Sequence, residues 1–312
     1  MTIEPLAIDK TVKLDINGTR QRVRICSARA GLPPLLVVQG GPALPMLYEV
    51  RKFQRLLNFE QEFLTVYWEQ RGCGDVPGSD ATHCSLQQQV DDLRAVLKWL
   101  YGETRQRIVL LGISIGGTFA LQAAEHARDQ VKAVVAVSPD SQTTTADAAA
   151  DAFLREQGLR TSRRGLSRRL LKLEPPPCMD GAAFARRARL LADLGTIEWG
   201  KTFGPLAREM LFAMARAYGV IGTLRAMRNM TLIQRRLLPE IASLDLFAQP
   251  PRVAVPVHFV FGEQDVLNPA SMVRDFPSLV GAPSGTVARL PNAGHMAHFD
   301  QPAIVRSIAV NA

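Results

Sequence analysis

Two rhythms of hydrophobic positions run through the first 140 residues. In KLDINGTRQRVRI (13–25) apolar and polar residues alternate on either side of Asn17-Gly18. A two-residue turn of that composition closes a β-hairpin, because type I′ geometry needs positive φ at both positions. LLVVQ (35–39) and EFLTVYW (62–68) are short apolar runs bounded by turn residues, the pattern of buried parallel strands. At Ser85 the period changes. Leu86, Val90, Leu93, Leu97 and Leu100 share one helical face, Ser85 and Gln88 fit a capping box, and Gly102 is the expected stop. RIVLL (107–111), TFALQAAEHA (118–127) and KAVVAVS (132–138) then read as strand, helix and strand. Such alternation implies an α/β fold, a mostly parallel central sheet flanked by helices on both faces.

Strand signals vanish between residues 141 and 250, where Ala-, Leu- and Arg-rich helical patterns are broken by Pro175-Pro176-Pro177 and by Gly195, Gly200 and Gly204. They return in PVHFVFG (256–262) and GTVARLP (285–291), and QPAIVRSIAV closes with a helix. The expected organisation is a core domain of residues 1–140 and 251–312 with an inserted helical cap of residues 141–250. A chain of 312 residues suits that arrangement.

Charge adds one question. Of the net +8, the insert carries 17 Lys/Arg against 10 Asp/Glu. A basic surface could serve nucleic acid or an anionic membrane. The arginines, however, come as doublets such as Arg163–Arg164, Arg168–Arg169, Arg186–Arg187 and Arg235–Arg236, without the interleaved aromatic residues that a base-stacking platform needs. They read as solvated helix faces, and no nucleic-acid partner is expected. No segment reaches the roughly 18 apolar residues of a membrane span, and the polar, acid-containing N-terminus resembles no secretory signal. A cytoplasmic protein is expected. The four cysteines (Cys26, Cys73, Cys84, Cys178) form no CxxC pair, so they read as free thiols and not as a metal site or a disulfide set.

Candidate chemistry begins at VLLGISIGGTFALQ (109–122). Gly112-Ile113-Ser114-Ile115-Gly116 matches G-x-S-x-G between a strand and a helix, the context of a nucleophile elbow. Ser114 could instead cap a helix. A dinucleotide loop is a weaker reading, because G-x-G-x-x-G is absent and several strands precede the turn. A nucleophilic serine needs a base and a group that orients the base. Asp265 follows the strand ending in Phe261-Gly262, and His295 lies in the loop after the next strand, giving the chain order serine, acid, histidine. Asp140 and Glu263 are rival acids and His298 a rival base. His258 reads as a core residue and His126 as a surface one. For a developing oxyanion, the donors expected are the backbone N–H groups of Ile115 and of Gly41, with Gly40 as the fallback, in the loop Gln39-Gly40-Gly41-Pro42.

These residues together resemble the α/β-hydrolases, and within them the prolyl aminopeptidase (proline iminopeptidase)-like branch. The resemblance rests on QGGPA (39–43) against that branch's HGGPG, WEQRGCGDVPGS (68–79) against DQRGxGxS, GISIGG (112–117), and GEQD with AGH near the end. It implies a helical cap, a Ser-His-Asp triad and an N-terminal amine recognised by cap carboxylates. Gln39 stands where the family has histidine, Ala43 where it has glycine and Glu69 where it has aspartate. The basic insert offers few acids for an amine, namely Glu198, Glu209 and Glu240, with Trp199 beside Glu198 loosely matching a family Trp/Glu pattern.

The expected function is therefore a serine hydrolase that cleaves a small carboxylic ester or amide through an acyl-enzyme, with Ser114, His295 and Asp265 as triad. Gln39, Glu198 and Glu209 are candidate substrate-binding residues. No metal or organic cofactor is implied, and the partner is a small molecule or short peptide. The alternative is an aminopeptidase releasing N-terminal proline or similar residues. A third reading is a binding protein that uses the basic cap.

Overall fold

The computed structural model describes all residues except 1–4, 77–83, 161–163, 171, 172, 174, 177, 274, 275 and 277–279. Chain order is β1 (Ile8–Ile16), β2 (Thr19–Ser27), β3 (Pro34–Val38), α1 (Val50–Leu56), β4 (Leu64–Glu69), α2 (Leu86–Thr104), β5 (Ile108–Ile113), α3 (Ile115–Ala124) and β6 (Val131–Val137). Four helices follow, α4 (Thr143–Arg160), α5 (Arg164–Leu170), α6 (Gly181–Asp193) and α7 (Phe203–Ala242). Then come β7 (Val257–Gly262), β8 (Gly285–Leu290) and a closing helix, Pro302–Asn311. The eight strands form one sheet in the order β1-β2-β4-β3-β5-β6-β7-β8. Pairing is antiparallel from β1 to β2 and from β2 to β4, and parallel everywhere else.

Local chemistry explains the element boundaries. Ile16 pairs with Thr19 across Asn17 (φ 45°) and Gly18 (φ 78°), the positive pair that a type I′ hairpin requires. The Ser85 side chain accepts a hydrogen bond from Gln88 N at 3.1 Å and caps α2. The Gln88 side chain completes no reciprocal box; it donates to Asp92 at 3.0 Å. Gly102 does not end α2. The helix continues to Thr104 and Arg105 takes the left-handed conformation, φ 54°. Nothing lies within 4 Å of a Cβ built on Gly102, so the glycine is simply tolerated on an exposed turn.

Side chains alternate between two cores across the sheet. Leu36, Val38, Ile108 and Leu110 face α2, α3 and the end of α7, while Leu35, Val37, Val109 and Leu111 face α1 and the closing helix. Among the described residues between β6 and β7 the regular elements are all helices, apart from one isolated bridge, Gln142 to Asp245. Within α7 the helix kinks at Gly219, φ 69°, a position a side chain would strain. The doublet reading fails at Arg187, which is buried and pairs with Asp147 at 2.8 Å. Among the described residues no helix is long and apolar enough to cross a membrane.

Candidate active site

The strand ends β5, β7 and β8 bring three side chains together. Ser114 sits in the turn from β5 to α3 with φ 53° and ψ −130°, a strained conformation characteristic of a serine held out above the sheet. Two glycines make that turn possible. A Cβ on Gly112 would stand 2.5 Å from Gly116 O, and one on Gly116 would stand 2.3 Å from Val38 O and 2.5 Å from Gln39 O. The second clash shows how tightly the elbow packs on the loop after β3.

His295 Nε2 lies 3.1 Å from Ser114 Oγ, and its Nδ1 lies 3.2 and 3.1 Å from the two oxygens of Asp265. All three residues are buried. Asp265 also accepts from Leu267 N at 3.1 Å and from Asn268 Nδ2 at 2.9 Å. Burial works to raise its pKa, but the charge and hydrogen bond of His295 and the Asn268 donor outweigh it, leaving the carboxyl below the usual range. For His295 the balance is reversed: burial disfavours the imidazolium, and Asp265 overcomes that penalty and raises the pKa. The imidazole is itself anchored through its backbone, with His295 N donating to Thr196 O at 2.9 Å and Met296 N to Ile197 O at 2.8 Å. Such a line of acid, imidazole and hydroxyl can activate the hydroxyl as a nucleophile.

None of the rivals joins this line. His298 is buried, stacks on Phe53 with centroids 5.4 Å apart and has no hydrogen-bond partner; burial keeps it neutral well below the ordinary histidine range. His258 on β7 is half-buried and meets Thr286 Oγ1 at 3.1 Å, and His126 is exposed. Glu263 is exposed beside Asp265. Asp140 reaches the serine and not the imidazole: its Oδ1 is 3.4 Å from Ser114 Oγ.

Ile115 is the first residue of α3, so its N–H has no partner inside the helix. Of the two loop glycines, Gly40 packs on the same turn: a Cβ on it would stand 3.1 Å from Ser114 Cβ, whereas one on Gly41 would meet its own loop, 2.5 Å from Ala43 N. The Gly40 N–H donates to Gln39 Oε1 at 3.1 Å. Gln39 is buried, and its Nε2 donates to Glu49 Oε2 at 2.5 Å; both ends of the amide are engaged within the protein. Ala43, where the resembling family has glycine, has φ 63°.

Two residues of the WEQRG segment, which carried the family resemblance but no assigned role, hold this loop, and a third anchors the segment itself. Glu69 accepts from Met46 N at 3.1 Å, Leu47 N at 3.0 Å and the Tyr218 hydroxyl at 2.6 Å, and pairs with Arg22. It thereby ties the β3 loop to α7. Gln70 Nε2 donates to Gln39 O at 2.9 Å, and Arg71 makes a two-point pair with buried Asp92, at 2.8 Å on each oxygen. The signal in the sequence was the match of this segment to the family's DQRGxGxS, which does not say what each side chain holds.

Glu198 and Glu209 do converge, beside a cavity of about 500 Å³ that Ser114 does not line. Both are neutralised. Lys52 Nζ contacts Glu198 and lies 3.5 Å from Glu209, over the Phe299 ring at 4.1 Å. Lys201 Nζ lies 2.6 Å from Glu198 and 3.8 Å from Glu209. Glu240, the third acid considered for an amine, accepts from Leu86 N at 2.9 Å at the start of α2.

Residues 35–308 match the alpha/beta hydrolase family. The chain belongs to that family. Its relatives include a probable aminopeptidase, YbaC, of Bacillus subtilis (strain 168), 24% identical over 312 residues covering 94% of this chain and 92% of that protein. Among solved structures, the proline iminopeptidase of Mycobacterium smegmatis superposes on this hydrolase with a TM-score of 0.66 at 18% identity, covering 97% of each chain. The carboxylesterase CesB of Bacillus subtilis does so with a TM-score of 0.62 at 17% identity, over 96% of this chain and 89% of that one.

Proposed function

We propose that this alpha/beta hydrolase is a serine hydrolase that cleaves small carboxylic esters or amides through an acyl-enzyme, with the helices between β6 and β7 acting as a cap. One observation carries the reading: the continuous hydrogen-bonded line from Asp265 through His295 to Ser114 Oγ at a strained elbow. In this mechanism Ser114 Oγ attacks the carbonyl carbon as its proton passes to His295 Nε2. The oxyanion is held by the N–H groups of Ile115 and Gly41. His295 returns the proton to the departing alcohol or amine, then deprotonates the water that frees the acyl group. Asp265 keeps the Nδ1 proton in place and offsets the imidazolium charge.

An aminopeptidase that grips the substrate amine with Glu198 and Glu209 is the second reading, favoured by the resemblance to aminopeptidases. Against it, an ammonium pocket needs uncompensated negative charge, and both carboxylates already hold lysines. Steady-state hydrolysis of p-nitrophenyl acetate and butyrate is compared with that of prolyl-p-nitroanilide. The proposal expects efficient ester cleavage and at most slow anilide cleavage. Fast anilide cleavage whose KM rises in Glu198→Gln, with the ester KM unchanged, would replace the ester reading with the aminopeptidase.

A further inference from the structure

A second carboxylate stands at the nucleophile, and the proposed mechanism does not use it. Asp140 follows β6, with Oδ1 3.4 Å from Ser114 Oγ. Its backbone is fixed, since its carbonyl accepts from the Thr118 hydroxyl on α3. The groups that face it are the Ser114 hydroxyl at the elbow, His295 after β8, Asp265 after β7 and Asp147 on α4. His295 is the one basic group among them, and among the described residues no Lys or Arg acts on Asp140. That separates Asp140 from Glu198 and Glu209, whose charge is already met by Lys52 and Lys201.

We infer that Asp140 is a specificity-determining residue that accepts a cationic group carried next to the scissile carbonyl, namely the α-ammonium of an aminoacyl ester. The inference rests on the serine-hydrolase reading and concerns the acyl side of the substrate, leaving the preference for an ester link as it was. Its geometry is direct. The nitrogen of an α-ammonium is two bonds from the carbon that Ser114 attacks, so a carboxylate touching Oγ is within hydrogen-bond reach of it. A charge-assisted hydrogen bond in a buried site discriminates strongly against a neutral isostere. Burial also pushes the Asp140 carboxyl up to about 6, so the pairing is present near neutral pH and fades in mild acid.

The test compares kcat/KM for alanine methyl ester with that for methyl isobutyrate, in which a methyl group replaces the ammonium, by methanol release at about pH 7. Wild type favours the cationic ester, and in Asp140→Asn the ratio falls by at least about tenfold. Asp140→Ser, with a thermal melt on each variant, guards against a folding defect in the amide variant. The wild-type ratio itself falls as the pH is lowered through about 6, a readout that needs no variant. A merely structural Asp140 would change both rates together and leave the ratio alone. An unchanged ratio in the folded variants overturns the inference, as does a wild-type ratio flat through that pH range. A ratio that falls in Glu198→Gln and holds in Asp140→Asn moves the ammonium to the cap and also overturns it. No hydrolysis of either ester by wild type, with Ser114 unlabelled by a fluorophosphonate, refutes the serine-hydrolase reading beneath it.

Discussion

Replacing Asp265 by Asn changes one atom of the carboxyl and reverses the role of the imidazole beside it. Asp265 accepts from three donors: His295 Nδ1, 3.1 and 3.2 Å from its two oxygens, Leu267 N at 3.1 Å and Asn268 Nδ2 at 2.9 Å. An asparagine has one oxygen. If that oxygen keeps the Leu267 or Asn268 donor, its NH2 group faces Nδ1. The imidazole then has to accept there and carry its proton on Nε2, pointing at Ser114 Oγ, so it can no longer take the serine proton. Loss of the correct tautomer in a triad lowers kcat by on the order of 10³–10⁴, about 4–5 kcal/mol of transition-state stabilisation, with KM little changed. Asp140 cannot substitute, because its oxygen meets Oγ and not Nδ1. The assay is steady-state hydrolysis of p-nitrophenyl butyrate by wild type and variant at matched folded concentration. Stability supplies a second reading. A carboxyl whose folded pKa is lowered adds stability above its unfolded value and loses it as pH falls, so the variant's melting temperature should depend less on pH in the acid range. A drop in kcat of less than about tenfold would refute the tautomer argument.

Three further outcomes are expected. Arg71→Leu strands Asp92, whose side chain is fully buried, and should cost about 3–5 kcal/mol in thermal unfolding; pairing it with Asp92→Leu should recover part of that loss, and a single variant within about 1 kcal/mol of wild type would contradict the role given to this pair. Gln70→Ala removes the donor to Gln39 O at 2.9 Å, and the loosened loop should lower kcat for a neutral ester roughly tenfold with a small change in KM; a KM effect alone would place Gln70 in substrate binding instead. Because Asp265 holds the His295 pKa above the ordinary 6.5, kcat/KM for a neutral ester should rise with pH and level off only above that value, where the free imidazole predominates. A plateau already reached below 6.5 would contradict that balance.

Short-range chemistry was legible in the sequence. Asn17-Gly18 announces its hairpin, Ser85 its cap, and the glycines around Ser114 a turn too tight for side chains. The parallel sheet follows from the alternation of short apolar runs with helical periods. The order and loop positions of Ser114, Asp265 and His295 were readable too, since each sits just past a strand end. Pairings between distant residues were not. Glu69 meets Tyr218 and Lys52 meets Glu198 across 149 and 146 residues of chain, and neither partner carries a local mark. Arg187 looked like half of a solvated doublet because periodicity alone does not say which arginine has a buried aspartate beneath it. Gly102 misled for the opposite reason: a stop signal in an exposed last turn costs only about 1 kcal/mol, and α2 runs through it. Asp140 was visible as an acid after a strand, but its choice of Oγ over Nδ1 depends on side-chain geometry.

The central claim is that Ser114 becomes acylated. Intact-protein and peptide mass spectrometry after mixing with p-nitrophenyl butyrate and rapid acid quenching tests it most directly, beside a Ser114→Ala control and turnover measured on the same samples. The account predicts a butyryl adduct confined to the peptide bearing Ser114, and neither adduct nor turnover in Ser114→Ala. Turnover that survives in Ser114→Ala, or an adduct on another residue in the wild type, would contradict it.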